Sequence, residues 1–571
     1  MNNLLRSPEI IAKFLKINKV DTVFGLCGGH IMPIWMELDK AGIKIVDTRD
    51  ERAAVFMAHS YSEFSGKIGV ALVTAGPGLT NALTGIANAH ISRTPLLVIS
   101  GTPPIFQENR GALQDINHVE IVKSVTRYSK TVRHESLIVN EMNQAFYHAL
   151  GIIGESGPSF IEFPTNVLRT KVNISQIFKE FYEPIVKTFP LPENSKVMDL
   201  LNLLNSSKRI LLISGRGARR CNANLSQFLE KFKVLYLDTA ESKGIIDEDH
   251  ENFVPSMRSK VMETSDLIIT LCRKLDFQLA YGSPAIFGNA KFVRISDTPT
   301  EISHNRRGEI ELVADPKIIL DQLIELSDVS KLSTDKIWFE DIKNKHKERK
   351  EKYSNILKDS KNGTDGRMHP NKIVHAINAI LPKKNIVIAD GGDFLSFCRV
   401  GVNANRYLDP GPFGCLGVGL PFGIGAKIAD PESHVFVLTG DGSFGFTAIE
   451  LDTLVRHKVP IIIIVANNGS WGIEVRDQID NYGKVVGTKL QFSDYSLMAK
   501  SFGLHSVKVD KSENLEKEII NALDKKPALI DVEVTQEAVS ADAKSGLAIV
   551  PDLQALETWD EKEKKFRNIE N

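Results

Sequence analysis

Residues Val435–Gly472 read VFVLTGDGSFGFTAIELDTLVRHKVPIIIIVANNGSWG. The apolar, β-branched run Val435 to Leu438 halts at Gly440-Asp441-Gly442, and Phe446, Ile449, Leu451, Leu454 and Val455 then recur at roughly helical spacing. The pattern predicts a strand, a tight loop and a helix. A second apolar run, Ile461 to Val465, has the length and branching of a strand buried on both faces, and it ends at Asn467-Asn468. Two neighbouring parallel strands therefore deliver Asp441 and Asn468 to one carboxyl edge, where open α/β sheets place ligands.

An acid and an amide at adjacent strand ends suit a hard cation. Mg²⁺ takes oxygen ligands in near-octahedral geometry, usually one or two from the protein and the rest from phosphate and water. Gly440 and Gly442 permit close backbone approach, and the amides of the helix that follows face an anion, with Ser443 among the first of them. A GDG alone is an ordinary turn in most chains. A GDG that closes a buried strand, followed 27 positions later by an Asn that closes another, resembles the signature of thiamine-diphosphate enzymes. In that family the aspartate, the last asparagine and a backbone carbonyl two residues on hold the metal, which here implies Asp441, Asn468 and Ser470. The alternative is two surface turns of an α/β domain.

Composition bounds the rest. A chain of 571 residues suits three domains of ordinary size, and 42% hydrophobic with 25% charged residues is the balance of a globular protein. A net charge of −1 leaves no footprint for nucleic acid or an anionic membrane. Cys27, Cys221, Cys272, Cys398 and Cys415 are scattered with no CxxC pair, which argues for a reducing compartment and against structural zinc. The N-terminus MNNLLRSPEIIAKFL reads as an amphipathic helix rather than a signal peptide, and the longest apolar run, near Ile461, is too short to span a bilayer. The expectation is a cytoplasmic protein.

Along the chain, the expected organisation is three doubly wound parallel-sheet α/β domains. They cover residues 1–175, 190–340 and 365–540, with a tail or lid over 541–571. The first closes on IEFPTNV before a Lys/Glu/Pro-rich stretch. The second alternates the strands RILLIS, VLYLD, LIITL and FVRIS with helices, and the polar segment Asp341 to Pro370 is a solvated helix and linker. IGVALVTAGPGLTNALTGIANAHISRTPLLVIS, Ile68 to Ser100, repeats the plan of the Val435–Gly472 unit without its aspartate. The first and third domains are thus expected to share one plan, of which only the third keeps a metal pair.

Thiazolium chemistry sets a further requirement. The cofactor's C2 proton is removed by its own aminopyrimidine once a carboxylate protonates the opposite ring nitrogen, so a glutamate must come from the other domain. Glu51, in KIVDTRDERAAVFMAHSYSEF, follows a short strand and opens a helix; the plainer role for it is a first-turn acid favoured by the helix dipole.

The whole chain resembles the acetolactate-synthase-like group of thiamine-diphosphate enzymes, with pyrimidine-binding, central and diphosphate-binding domains in that order. Within the group it is most similar to benzaldehyde lyase and the bacterial 2-hydroxyacyl-CoA lyases. FGLCGGHI, DTRDERAA, VTAGPGLTNA, LQDINHV, ADGGDF, GCLGVGLPFGIGA and NNGSWG carry the likeness. The resemblance implies Glu51 as cofactor activator, Gly414 and Leu416 at the aminopyrimidine, and Gly391, Gly392 and Asp393 at the diphosphate. Trp471 and Gly472 would wall the pocket, while His30 and Gln114 would move the substrate's proton. It implies a thiamine-diphosphate- and Mg²⁺-dependent carbon–carbon lyase or carboligase acting on 2-hydroxyacyl-CoA or 2-hydroxyketone substrates; acetolactate-synthase or decarboxylase chemistry on a 2-oxo acid shares every cofactor residue. Because the activator and the metal site lie on different domains of one plan, and each carboxyl edge needs a facing partner to exclude water, the expectation is a homodimer as the minimal unit and a homotetramer overall. In the central domain, Gly215 to Arg219 follows a strand as a phosphate cradle would. Relatives use that domain for FAD, for ADP-bearing groups such as CoA, or for nothing, and Arg216, Arg219, Arg273 and Lys274 are the residues placed to meet an ADP moiety.

Overall fold

The computed structural model describes residues 4–173, 183–545 and 550–569. Three all-parallel sheets organise the chain. The first domain orders its strands Lys44–Asp47, Thr22–Gly25, Gly69–Val73, Leu96–Thr102, Pro158–Pro164 and Tyr128–Thr131; the third orders Tyr407–Leu408, Asn385–Asp390, His434–Gly440, Ile462–Asn467, Ala528–Glu533 and His505–Val509. Counted along each domain, both sheets run 2-1-3-4-6-5, so the echo read from Ile68–Ser100 is an identity of plan. The central sheet runs 2-1-3-4-5, from Leu235–Leu237 and Ile210–Ser214 through Leu267–Leu271 and Lys291–Ser296 to Ile310–Val313. Inner strands such as Gly69–Val73, Leu267–Leu271 and Ile462–Asn467 are rich in Val, Ile and Leu because helices cover both faces, whereas the edge strands Tyr128–Thr131 and His505–Val509 are more polar. In the third sheet Asp390 stands beside Thr439 and Gly440 beside Ala466, which brings three strand ends into line at Gly391, Asp441 and Asn467.

The first and third domains share one core. Helix Glu51–Ser65 lies along helix Gly419–Ala429, with Phe56 edge-on to Phe422 at 5.9 Å. The approach needs Gly425, where a Cβ would stand 2.2 Å from the Met57 carbonyl oxygen. Asp50 caps the first of these helices by accepting the Arg52 N–H at 2.7 Å, and Gly66, in the left-handed region at φ 70°, ends it.

One element differs from its sequence pattern. The helix expected after Gly442 is broken into helix Asp441–Thr447, a 3₁₀ turn Ala448–Glu450 and helix Leu451–Arg456. Thr447, at φ −133°, leaves the helical region while its hydroxyl donates to the Gly417 carbonyl at 2.8 Å. The break rotates the stripe, so Leu451 and Leu454 are in the core while Phe446 and Ile449 are 45% and 40% exposed.

The polar segment after the central sheet is helix Lys336–Asp359 and a link to helix Pro370–Ile380. Helix Glu557–Arg567 of the tail stands on the central domain, where Glu563 accepts from Ser283 and Trp559 is buried. Among the described residues no helix is long and apolar enough to cross a membrane.

Candidate active site

A cavity opens at the carboxyl edge of the third sheet. Gly391, Gly392, Asp393, Leu416, Gly440, Asp441, Gly442, Ser443, Asn468, Ser470, Trp471 and Gly472 line it, joined by Pro370, Glu474 and Val534. Nearly every third-domain residue singled out in the sequence is therefore gathered in one place. Gly414 is not part of the lining; it sits at φ 65° in the neighbouring loop, with open space around its α-carbon.

Asp441 is 2% exposed, and burial pushes its carboxyl up to about 6. Its Oδ1 accepts the Asn468 N–H at 3.3 Å, while Oδ2 is buried without a hydrogen-bond partner, as is the Ser470 hydroxyl. A lone buried carboxylate oxygen is costly unless something positive meets it. Among the described residues no three His, Cys, Asp or Glu side chains converge as a metal site. A cation at Asp441 would draw its other ligands from amide, backbone and bound anion, as Mg²⁺ does. The two asparagines divide their work: Asn467 turns inward to the Ser493 carbonyl and Asp531, whereas Asn468 faces the cavity and accepts the Ser470 N–H at 3.0 Å. Helices Asp393–Gly401 and Gly472–Tyr482 both begin at the cavity wall, where the first amides of a helix have no partner within it and suit an anion. Gly442 makes room for Trp471, whose ring would lie 2.6 Å from a Cβ there.

Asp390 went unremarked as a site residue although it ends the run NIVIAD. Its carboxylate, pushed up to about 6 by burial, accepts the N–H groups of Gly391 at 2.7 Å and Gly419 at 2.8 Å and the Ser443 hydroxyl at 3.2 Å. It ties the turn at Gly391 to the starts of helices Gly419–Ala429 and Asp441–Thr447, and so takes up the Ser443 hydroxyl. Asp393 turns its side chain to Ser540 in the C-terminal segment, with burial pushing it up to about 6. That segment runs past the cavity, where Gln536 donates to the Asn468 carbonyl at 2.7 Å, the Asp542 N–H donates to the Ser396 hydroxyl at 3.0 Å and the Asp542 carboxylate accepts from Arg399 at 3.3 Å.

A second cluster occupies the matching edge of the first sheet. Glu51 is 6% exposed and accepts from the Asn81 amide at 3.1 Å, against Gly78. His30 crosses Gly101, where a Cβ would meet its own at 2.6 Å, and hydrogen bonds with Gln114. Burial lowers the His30 pKa below the ordinary 6.5, and the Gln114 bond opposes the shift. Gln114 itself takes a left-handed φ of 63° and packs on Gly76. Gly76 donates its N–H to His118 Nε2 at 2.8 Å, which leaves Nδ1–H to bond the Glu162 carboxylate at 2.6 Å. His118 and Glu162 give no sequence signal of this link beyond a histidine four residues after Gln114. Glu51, His30 and Gln114 thus share one edge, yet none of them lines the cavity of the third domain.

A cavity of about 650 Å³ lies where the three domains meet. Seven basic and four acidic side chains line it, among them Arg216 and Arg219 from the loop after strand Ile210–Ser214. Both arginines pair with Glu63, at 3.3 and 2.8 Å. The other two central-domain candidates lie outside it: Arg273 is wholly buried against Asp276, and Lys274 pairs with Glu155.

Two candidate sites stand at the carboxyl edges of two like-wound domains, and comparison with known proteins gives the class of enzyme to which such a pair belongs. Residues 6–121 match the thiamine pyrophosphate enzyme N-terminal TPP binding domain, 197–323 the central domain and 394–532 the C-terminal TPP binding domain. The chain is 31% identical over 545 residues to a 2-hydroxyacyl-CoA lyase 2 of Caenorhabditis elegans, covering 88% of this chain and 84% of that one. It is 28% identical to the Homo sapiens 2-hydroxyacyl-CoA lyase 2, over 90% and 86% of the two chains. Its identity to the acetolactate synthase large subunit IlvG of Mycobacterium tuberculosis is 29%, over 95% and 98%. The chain belongs to the thiamine pyrophosphate enzymes.

Proposed function

We propose that the protein is a Mg²⁺-dependent carbon–carbon lyase or carboligase that cleaves, or forms in reverse, a 2-hydroxyacyl-CoA or 2-hydroxyketone. The unpartnered, buried Asp441 Oδ2 beside Asn468 and Ser470 carries the cofactor half of this reading. It fits a cation, and the helix starts around it fit the diphosphate that such a cation would bridge. When bound, thiamine diphosphate supplies an acidic thiazolium carbon able to break or make a bond next to a carbonyl. Glu51 holds a proton at the aminopyrimidine, and its burial keeps water from that exchange. Leu416 would bear on the cofactor from the cavity wall, and Trp471 would close another side. His30, paired with Gln114, gives and takes the hydroxyl proton of the substrate, and release of CO₂ is what would separate a 2-oxo-acid decarboxylase from the lyase.

Because the third-domain cavity contains no first-domain residue, we assign its Glu51 to a second copy of the chain, with a homodimer as the working unit and a tetramer built from it. The excess of basic over acidic side chains in the three-domain cavity suits the ADP end of CoA or of FAD, with Arg216 and Arg219 the contacts once Glu63 yields. The five free cysteines support a reducing, cytoplasmic setting.

Acetolactate-synthase chemistry is the second reading, favoured by the end-to-end match to the mycobacterial synthase. A product assay decides between them: formyl-CoA, the one-carbon acyl-CoA, with an aldehyde should give the 2-hydroxyacyl-CoA, whereas pyruvate alone yielding CO₂ and acetolactate would overturn the lyase reading.

A further inference from the structure

Glu450 lines no part of the cofactor cavity, yet it is 0% exposed and directed at the first domain. It closes the 3₁₀ turn Ala448–Glu450, in the same short segment that begins at Asp441. Its carboxylate accepts the Arg49 N–H, at 3.1 Å from Oε1 and 3.3 Å from Oε2, and the N–H of Asp50 as well. The Thr453 hydroxyl donates to Oε2 at 2.5 Å. Asp50 is the cap of helix Glu51–Ser65 and Glu51 its first residue. The two amides that Glu450 receives therefore belong to the residues immediately before Glu51, where a helix has no internal partners to offer and is least restrained.

Other contacts join the same surfaces. Arg456 and His457 reach Asp47, Arg49 reaches Asp452, and Arg52 donates to the Phe446 carbonyl at 3.1 Å. Most of these are part-exposed ion pairs that fix a backbone weakly. Glu450 differs because its bonds are buried, charge-assisted and made to the main chain.

We propose that Glu450 is a positioning residue for Glu51: by clamping the amides of Arg49 and Asp50 it fixes where helix Glu51–Ser65 begins, and so where the Glu51 carboxylate stands. The inference rests on the reading of Glu51 as cofactor activator. The Glu51 carboxylate has the Asn81 amide to hold its tip, so the position of its main chain has to be set from elsewhere. Burial pushes Glu450 up to about 7, as expected of an acid that gives up water for these few donors.

Deuterium exchange at C2 of thiamine diphosphate, measured on the holoenzyme with Mg²⁺ and saturating cofactor, tests this without any substrate. Glu450→Gln keeps the shape but turns a donor toward an amide; exchange should slow about tenfold, as small misplacements do, while cofactor affinity changes less than about threefold. Glu450→Asp, which withdraws the carboxylate by one methylene, should act in the same direction and serves if the amide variant does not fold. Asp452→Asn, which removes a side-chain contact of the same interface, should exchange like the wild type. Wild-type exchange in both Glu450 variants, or equal slowing in Asp452→Asn, would overturn the proposal. Glu51→Gln, run beside them, separates the two readings. Wild-type exchange in that variant removes the activator role and the clamp with it, whereas slow exchange there with wild-type exchange in both Glu450 variants removes the clamp alone.

Discussion

Asp441 concentrates the cost of the site in one atom, a buried carboxylate oxygen with nothing to bond. Such an atom destabilises the empty protein and rewards a cation. Asp441→Ala should therefore lose Mg²⁺-dependent retention of thiamine diphosphate by about two orders of magnitude or more, yet melt without cofactor no lower than the wild type. Titration calorimetry and thermal melts read the two effects, and unchanged cofactor affinity would contradict the assignment. At His30 the expected loss falls on a different step. His30→Ala should lower the lyase rate about a hundredfold while leaving C2 exchange intact. Burial lowers the His30 pKa, so the imidazole stays neutral to more acid pH than usual. The acid limb of kcat/KM should accordingly lie below pH 6.5, and a limb above that value would separate His30 from the step. Asp441 and Asn468 were legible because glycine punctuation and strand periodicity mark strand ends. Asp390 and Glu450 were not, since their partners are main-chain amides, which leave no mark in a sequence.

Between helices Glu51–Ser65 and Gly419–Ala429 the decisive atom is one that is missing. A side chain at Gly425 would enter the Met57 carbonyl and the Ser60 hydroxyl, both 2.2 Å from the Cβ position. Gly425→Val should destabilise the fold by about 3 kcal/mol, the scale of overpacking against backbone that cannot give. Urea unfolding measures it, and a change within about 0.5 kcal/mol would mean that the helices part freely. The buried strands were read from the chain within a residue or two, because hydrophobic runs bounded by glycine leave little choice. The helix after Gly442 was read as continuous. Its break at Thr447 answers a hydroxyl bond to Gly417 and the inward turn of Glu450, neither of which periodicity encodes.

Across the whole molecule the two candidate edges belong to sheets of the same winding, and the cavity of one contains nothing from the other. If a second copy completes each site, a mixture of Glu51→Gln and Asp441→Ala chains should regain activity that neither has alone, because the mixed dimer holds one intact site. Random reassortment would restore about a quarter of the wild-type rate. No recovery after verified subunit exchange would return Glu51 to its own chain's cavity.

The sequence by itself determined the class of fold, the cofactor, and the acid–amide pair at two strand ends. These follow from local signals: apolar periodicity, glycine at sharp turns and the spacing between two strand termini. Tertiary structure alone decided which polar groups are satisfied and which are left over. It turned Asn467 inward and Asn468 outward, committed Ser443 to Asp390, paired Arg216 and Arg219 with Glu63, and buried Arg273. Each outcome depends on what lies opposite a side chain from a distant part of the chain, and burial makes every such pairing count because water is not there to replace a missing partner.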